Sequence, residues 1–236
     1  MSHISKGPYS LLNPHFRALS IVAISSEISP ITRRCASVNS NEKVVLLSGA
    51  NSGGKSTLLT LIAQMAILVS LGLPIPAEDA EIGIFDSIYL FKKVTGSQSL
   101  SAGAFEEVLS NFCDVLLDSK SKLVLADELE AISEPSASAK VISGLLEQLN
   151  EQKNNVSLFV SHLCSEIKEH LTINIRIDGI EARGLDRDLN LIVDRTPKFN
   201  YLARSTPELI IKRLAEVNKA KPKYAVYSHI LEKFSH

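Results

Sequence analysis

Two rhythms of apolar residues run along the chain. "EKVVLLSG", ending at Gly49, is a short unbroken apolar run of the kind buried on both faces of a parallel sheet. "KSTLLTLIAQMAILVSLG" then predicts a helix, closed by Gly72 and Pro74. "DSIYLFKKV" predicts another strand. In "AFEEVLSNFCDVLLDS", Phe105, Val108, Leu109, Phe112, Leu116 and Leu117 are expected on one helical face. "SKLVLADE" predicts a strand ending in two carboxylates, "ASAKVISGLLEQLNEQ" a helix, and "NVSLFVSH" a third buried strand ending at His162. Strand and helix in alternation predict an α/β fold: a mostly parallel central sheet flanked by helices on both faces.

Beyond Glu169 the rhythm changes. "LTINIRIDGIEA" and "DLNLIVDR" alternate polar and apolar residues and are joined by a glycine-containing turn, which predicts a peripheral antiparallel pair. "STPELIIKRLAEV" predicts a helix with Ser205 as N-cap, Pro207 in the first turn and Glu208 as the capping partner. A closing helix is expected over roughly Lys223–Lys233. Near the N-terminus, "ALSIVAI" and "ASVNS" are strand candidates whose pairing the sequence leaves open.

At 236 residues the chain is long enough to bury a sizeable core, and 45% apolar with 22% charged residues is ordinary globular composition. The net charge of −1 provides no chain-wide footprint for nucleic acid. From Arg195 to His236, however, nine Lys/Arg stand against three Glu, either a solvated face or a docking surface for DNA or an acidic partner. Cys35, Cys113 and Cys164 are odd in number, far apart and lack CxxC spacing, which argues against a disulfide scaffold or zinc site and for a reducing interior. No apolar run reaches the roughly 18 residues of a membrane span, and Met1–Ser10 lacks a signal peptide's apolar core. These features predict an intracellular protein, cytoplasmic or nucleoid-associated, with no membrane partner.

The chemistry begins at "GANSGGKST". Gly49, Gly54, Lys55 and Ser56 satisfy G-x-x-x-x-G-K-[ST], a match expected by chance on the order of one per cent of the time at average residue usage. A buried strand precedes it and a long helix follows, the context of a P-loop NTPase. Glycines let successive N–H groups converge on phosphates without Cβ clashes, and the helix N-terminus adds partial positive charge. Gly49, Ala50, Asn51, Ser52, Gly53, Gly54, Lys55, Ser56 and Thr57 are therefore the candidate nucleotide-binding residues. Lys55 would bridge the β- and γ-phosphates of ATP, and the Ser56 hydroxyl would hold Mg²⁺. Asp127 ends the "LVLADE" strand, where open α/β sheets place ligands, and is the second candidate metal residue. Glu128 beside it is suited to activate the attacking water, and His162 to contact the γ-phosphate.

This phosphate loop, "PIPAEDAEIGIFDSIYLFKKVTG", the "LVLADE" strand and the "FVSH" strand occur in the order and spacing of the MutS mismatch-repair family's ATPase domain, which the chain resembles. That family belongs to the ABC-type ATPases. "PAEDAEIGIFDSIYLF" is the most family-specific stretch, and the likeness spans roughly Leu46–Leu163 and, weakly, "YLARSTPELIIKRLAE". The resemblance implies an ABC-ATPase-like fold and slow ATP hydrolysis. It also implies nucleotide-gated homodimerisation, with DNA as partner of the full-length protein. Each nucleotide would lie between one subunit's phosphate loop and the other's signature segment, by position "SLSAGAFEE", with Ser101, Gly103 and Phe105 as candidates acting in trans. Gly103 and Ala104 stand where the family has hydroxyls, and "LEAISEPSAS" replaces its glycine-rich turn after Glu128.

One domain over 1–236 is expected, with N-terminal strands in 1–42, the P-loop core in 43–170, and peripheral strands and C-terminal helices in 171–236. The residues ahead of the phosphate loop cannot hold the family's mismatch-recognition, connector, lever and clamp domains. The chain is thus expected to be an excised ATPase domain or a shortened branch. Two rival readings are a dimerisation module with negligible turnover and a small-molecule kinase, the latter opposed by the lack of clustered lid arginines.

Overall fold

The apolar runs become strands in a computed structural model that describes residues 19–23, 36–38, 42–50, 53–77, 79–92, 102–132, 134–203 and 206–234. In chain order the first half holds β1 (Leu19–Ala23), β2 (Ala36–Val38), β3 (Val44–Gly49), α1 (Lys55–Ser70), β4 (Asp79–Ile82), β5 (Ser87–Phe91) and α2 (Ala102–Leu117). The second half holds β6 (Lys122–Asp127), a 3-10 turn (Leu129–Ile132), α3 (Pro135–Glu151), β7 (Asn155–Val160), α4 (Cys164–His170) and β8 (Arg176–Ile180). It ends with β9 (Ala182–Leu185), β10 (Leu191–Val193), α5 (Pro207–Val217) and α6 (Lys223–Glu232).

The central sheet has the order β5-β6-β7-β3-β8, with every neighbouring pair parallel. Two antiparallel sheets accompany it, β2-β1-β4 and β10-β9. The α/β fold predicted above is therefore the observed one. β3 and β7 are buried at every position and β6 at all but its last, Asp127. Because side chains alternate across a strand, Leu47, Leu125 and Val160 pack against Leu58, Ile62 and Met65 of α1 on one face. On the other, Leu46, Val124 and Phe159 pack against Phe112, Ile142 and Leu146 of α2 and α3.

α2 is seated by two contacts. Phe112 is fully buried and stacks on Phe91, with ring centroids 3.9 Å apart. Lys122, only 1% exposed, donates its ammonium to the carbonyls of Val115 and Asp118, which the end of the helix would otherwise leave without partners. Burial pulls the Lys122 pKa below the ordinary lysine value.

Several expectations are corrected. Leu117 is 82% exposed, and Val115 takes the inner position, because Phe112 to Val115 is one helical turn and Leu117 lies beyond it. "RIDGI" is not peripheral: it forms β8, parallel to β3, and only β9 and β10 make the antiparallel pair. Its polar residues find partners there. Arg176 donates to Glu42 at 2.6 Å and lies 3.1 Å from the Asp178 carboxylate, which in turn accepts the Asn200 N–H. "DAEI" is a strand, β4, paired with β1, which also resolves the N-terminal pairing of β1 with β2. α5 begins at Pro207 with Thr206 at the cap position, while Ser205 lies outside the described residues.

Phe112→Ala should cost about 3–5 kcal/mol of stability, the range for deleting a fully buried aromatic ring. Urea unfolding should show a lower midpoint at unchanged slope.

Candidate functional site

The turn from β3 into α1 is shaped by glycines that admit no side chain. Gly49 has φ +116°, and a Cβ there would meet the Ile180 carbonyl oxygen at 2.0 Å. A Cβ on Gly53 would meet the Ile180 side chain at 2.7 Å. Gly54 takes φ +76° as the residue before α1, a left-handed conformation that glycine adopts without strain. The loop closes with Ala50 N–H donating to the Ile180 carbonyl at 3.0 Å and Gly53 N–H to Ala50 at 2.9 Å. Among the described residues no side chain caps α1, and no acid sits in its first turn, so the positive end of the helix faces the loop.

Lys55 is 3% exposed and folds back on this loop, donating to the carbonyls of Gly49 at 2.6 Å and Ala50 at 2.8 Å. Burial lowers its pKa, and the nearby carboxylates of Glu128, Asp127 and Glu130 offset part of that shift. Its neighbours Ser56 and Thr57 are exposed. Asn51 and Ser52 lie outside the described residues.

Asp127 and Glu128 follow from the end of β6, which lies beside β7. The Asp127 Oδ1 atom is buried and has no hydrogen-bond partner among the described residues. Glu128 has φ +49°, uncommon for a residue with a side chain, and its N–H reaches the Val160 carbonyl at 3.0 Å. Its Oε1 lies 2.6 Å from Nε2 of His162, which follows β7. With Glu128 ionised, this contact places the ring proton on Nε2 as donor.

Around this pair lie two residues that sequence reasoning did not single out. Glu130, in the 3-10 turn, accepts the His162 backbone N–H at 2.6 Å with Oε1, while its buried Oε2 has no partner among the described residues. Burial raises the Glu130 pKa. The buried Cys164 thiol donates to the Ser161 carbonyl, and burial pushes its pKa up to about 12, so it stays a thiol at neutral pH. The only hint of Glu130 in the sequence is an acid in a turn where the resembled family is glycine-rich.

The structure thus brings Gly49, Ala50, Gly53, Gly54, Lys55, Ser56 and Thr57 to the carboxyl end of β3, beside Asp127, Glu128 and His162 at the ends of β6 and β7. The signature candidates lie elsewhere. Gly103 is exposed in the first turn of α2, and Phe105 lines a shallow apolar groove with Leu109, Leu129, Ile142 and Leu145. Ser101 lies outside the described residues.

The model of MutS domain V matches residues 45–193. The DNA-binding protein MutS2 of Pyrococcus furiosus is 44% identical over 191 residues, covering 81% of this chain and 33% of that protein. Endonuclease MutS2 of Lactococcus lactis is 34% identical over 168 residues, 69% of this chain and 20% of that protein. The DNA mismatch repair protein MutS of Listeria monocytogenes is 26% identical over 189 residues, 77% of this chain and 21% of that protein. The chain spans between a fifth and a third of the length of these relatives. The likeness covers the phosphate-loop strand, the acidic strand end and the histidine strand together, and the chain belongs to the MutS family, of which it carries domain V.

Proposed function

We propose that this domain binds ATP with Mg²⁺ and hydrolyses it slowly, and that nucleotide binding gates homodimerisation coupled to DNA binding or repair in the full-length protein. One observation carries the reading. A buried lysine on a glycine-shaped loop, a buried carboxylate oxygen without a partner among the described residues, and a Glu128–His162 pair 2.6 Å apart share one sheet edge.

In this reading Lys55 exchanges two neutral carbonyl acceptors for phosphate oxygens, a stronger charge-assisted bond. The first-turn N–H groups of α1 receive the phosphate charge. The exposed Ser56 hydroxyl and Asp127 Oδ1, which has no partner among the described residues, fit the all-oxygen donor set that magnesium prefers. When bound, magnesium would neutralise phosphate charge. His162 turns its Nε2–H from Glu128 to the γ-phosphate, which frees the carboxylate to take a proton from the attacking water. The exposed apolar residues Ile210, Leu214, Val217, Tyr224, Val226 and Ile230 on α5 and α6 support self-association. The names of the MutS2 and MutS relatives support DNA as the partner of the whole protein.

A second reading, a nucleotide-dependent dimerisation module with negligible turnover, is favoured by Gly103 at the signature position, which offers no hydroxyl.

Lys55→Ala should weaken ATP binding by about ten- to a hundredfold, the loss of a hydrogen bond to a charged group, as read by fluorescent-nucleotide titration. Glu128→Gln should retain affinity, lower phosphate release by about 10²- to 10⁴-fold, and accumulate an ATP-bound dimer in light scattering. Wild-type turnover in that variant removes Glu128 from the base role, and negligible turnover in the wild type selects the second reading. If α5 and α6 contact DNA, neutralising the exposed Lys212, Arg213, Lys219, Lys221 and Lys223 should weaken binding and flatten its salt dependence. Unchanged affinity would end that role.

A further inference from the structure

We infer that Glu130 is a positioning residue of this site: its carboxylate tethers the backbone of His162 and so sets where the imidazole sits relative to Glu128. The inference rests on the hydrolytic reading above for its consequence on rate, but the tether itself is a matter of geometry.

Three observations converge on it. First, the 3-10 turn follows Glu128 directly, so Glu128 and Glu130 are joined by a single residue within one short element. Second, Glu130 Oε1 accepts the His162 N–H at 2.6 Å while the His162 ring contacts Glu128 Oε1 at 2.6 Å. These two bonds close a circuit from Glu128 through the ring and backbone of His162 to Glu130. Third, the neighbouring backbone is held by other means. Leu163 N–H donates to Ser161 Oγ, Ile167 N–H to the Leu163 carbonyl, and Ser161 N–H to the Leu47 carbonyl. On the Ser161–His162 peptide unit itself, the other bond is the weak thiol donor of Cys164 to the Ser161 carbonyl at 3.2 Å.

The chemistry of the tether is costly for a merely structural device. Glu130 stands close behind Asp127 and Glu128 in an acidic stretch, and it is desolvated, with Oε2 lacking a hydrogen-bond partner among the described residues. A neutral amide could hold a turn with less penalty. A carboxylate makes the stronger acceptor, but what the tether requires is a side-chain oxygen at this position to take the His162 N–H. Freed from Glu130, the Ser161–His162 peptide keeps the weak Cys164 thiol bond in place of a charge-assisted one and is held less firmly. The ring would then leave Glu128 without being aimed at the γ-phosphate.

The test compares Glu130→Ala with Glu130→Gln in the same chain. The alanine variant should lose about ten- to a hundredfold in kcat for ATP with KM within about twofold of wild type. Glutamine keeps an oxygen able to accept the same N–H and should restore most of the rate. Wild-type kcat in the alanine variant, or glutamine as slow as alanine, would overturn the inference. ¹⁵N NMR of the His162 ring provides a readout independent of turnover. The Nε2 signal of the ring bonded to Glu128 should be retained in the glutamine variant and lost in the alanine variant. A ring signal unchanged in both variants would overturn the tether. If the wild type releases no phosphate, the hydrolytic reading fails and the ring signal alone decides the tether. Should the alanine variant not fold, a glutamine variant without the wild-type ring signal overturns the inference, and one that keeps both signal and rate supports it.

Discussion

β3, β6 and β7 are covered on both faces, so an unpaired polar side chain has no place along them and must wait for the strand's end. The carboxyl ends of the three strands lie side by side because the strands are parallel and adjacent. That arrangement collects Lys55, Asp127, Glu128 and His162 at one edge of the sheet, although more than a hundred residues separate the first from the last. The site is a by-product of how the core is sealed. Disturbing the seal, at Phe159 or Leu46 for example, would move the strand ends and every group on them.

The edge is electrostatically unbalanced. Asp127, Glu128 and Glu130 surround a single buried ammonium, Lys55, whose own hydrogen bonds go to neutral carbonyls. Desolvation pushes Lys55 and Glu130 toward their neutral forms; the neighbouring carboxylates push Lys55 back, and hydrogen bonds, the His162 N–H first, push Glu130 back. In the proposed cycle an arriving polyphosphate adds further negative charge. A divalent cation and the amide groups of the loop are what make that charge tolerable. The Glu128–His162 contact then holds the base in reserve until a better acceptor for the imidazole proton is in place.

Much of this was legible in the residues. The buried strands and the helices between them follow from unbroken apolar runs and a 3.6-residue period, and the loop from its glycine spacing. β8 was misread because its alternation of Arg176, Asp178 and Ile177 looks half-exposed. Its true partner, β3, lies more than a hundred residues away in the chain, and Glu42 and Asn200 satisfy its polar groups. Leu117 was misplaced by counting apolar residues instead of turns. Glu130 could be seen as an acid but not as a tether, because the bond it makes depends on β6 and β7 being neighbours. No spacing rule encodes that bond.

The Ile180 carbonyl occupies the space that a side chain at residue 49 would fill, and it accepts the Ala50 N–H. β8 is therefore the back wall of the phosphate loop, though it comes more than a hundred residues later. Ala203, in turn, packs on both Gly49 and Gly179, and its N–H donates to Ser48 Oγ. A fragment trimmed after β7 would keep every residue of the sequence motif and lose the surface against which the motif is moulded. A piece of this protein that keeps every contact behind the loop must extend through Ala203, and α5 begins at Pro207. Residues that shape the loop and residues of the C-terminal helix pair are thus close neighbours in the chain.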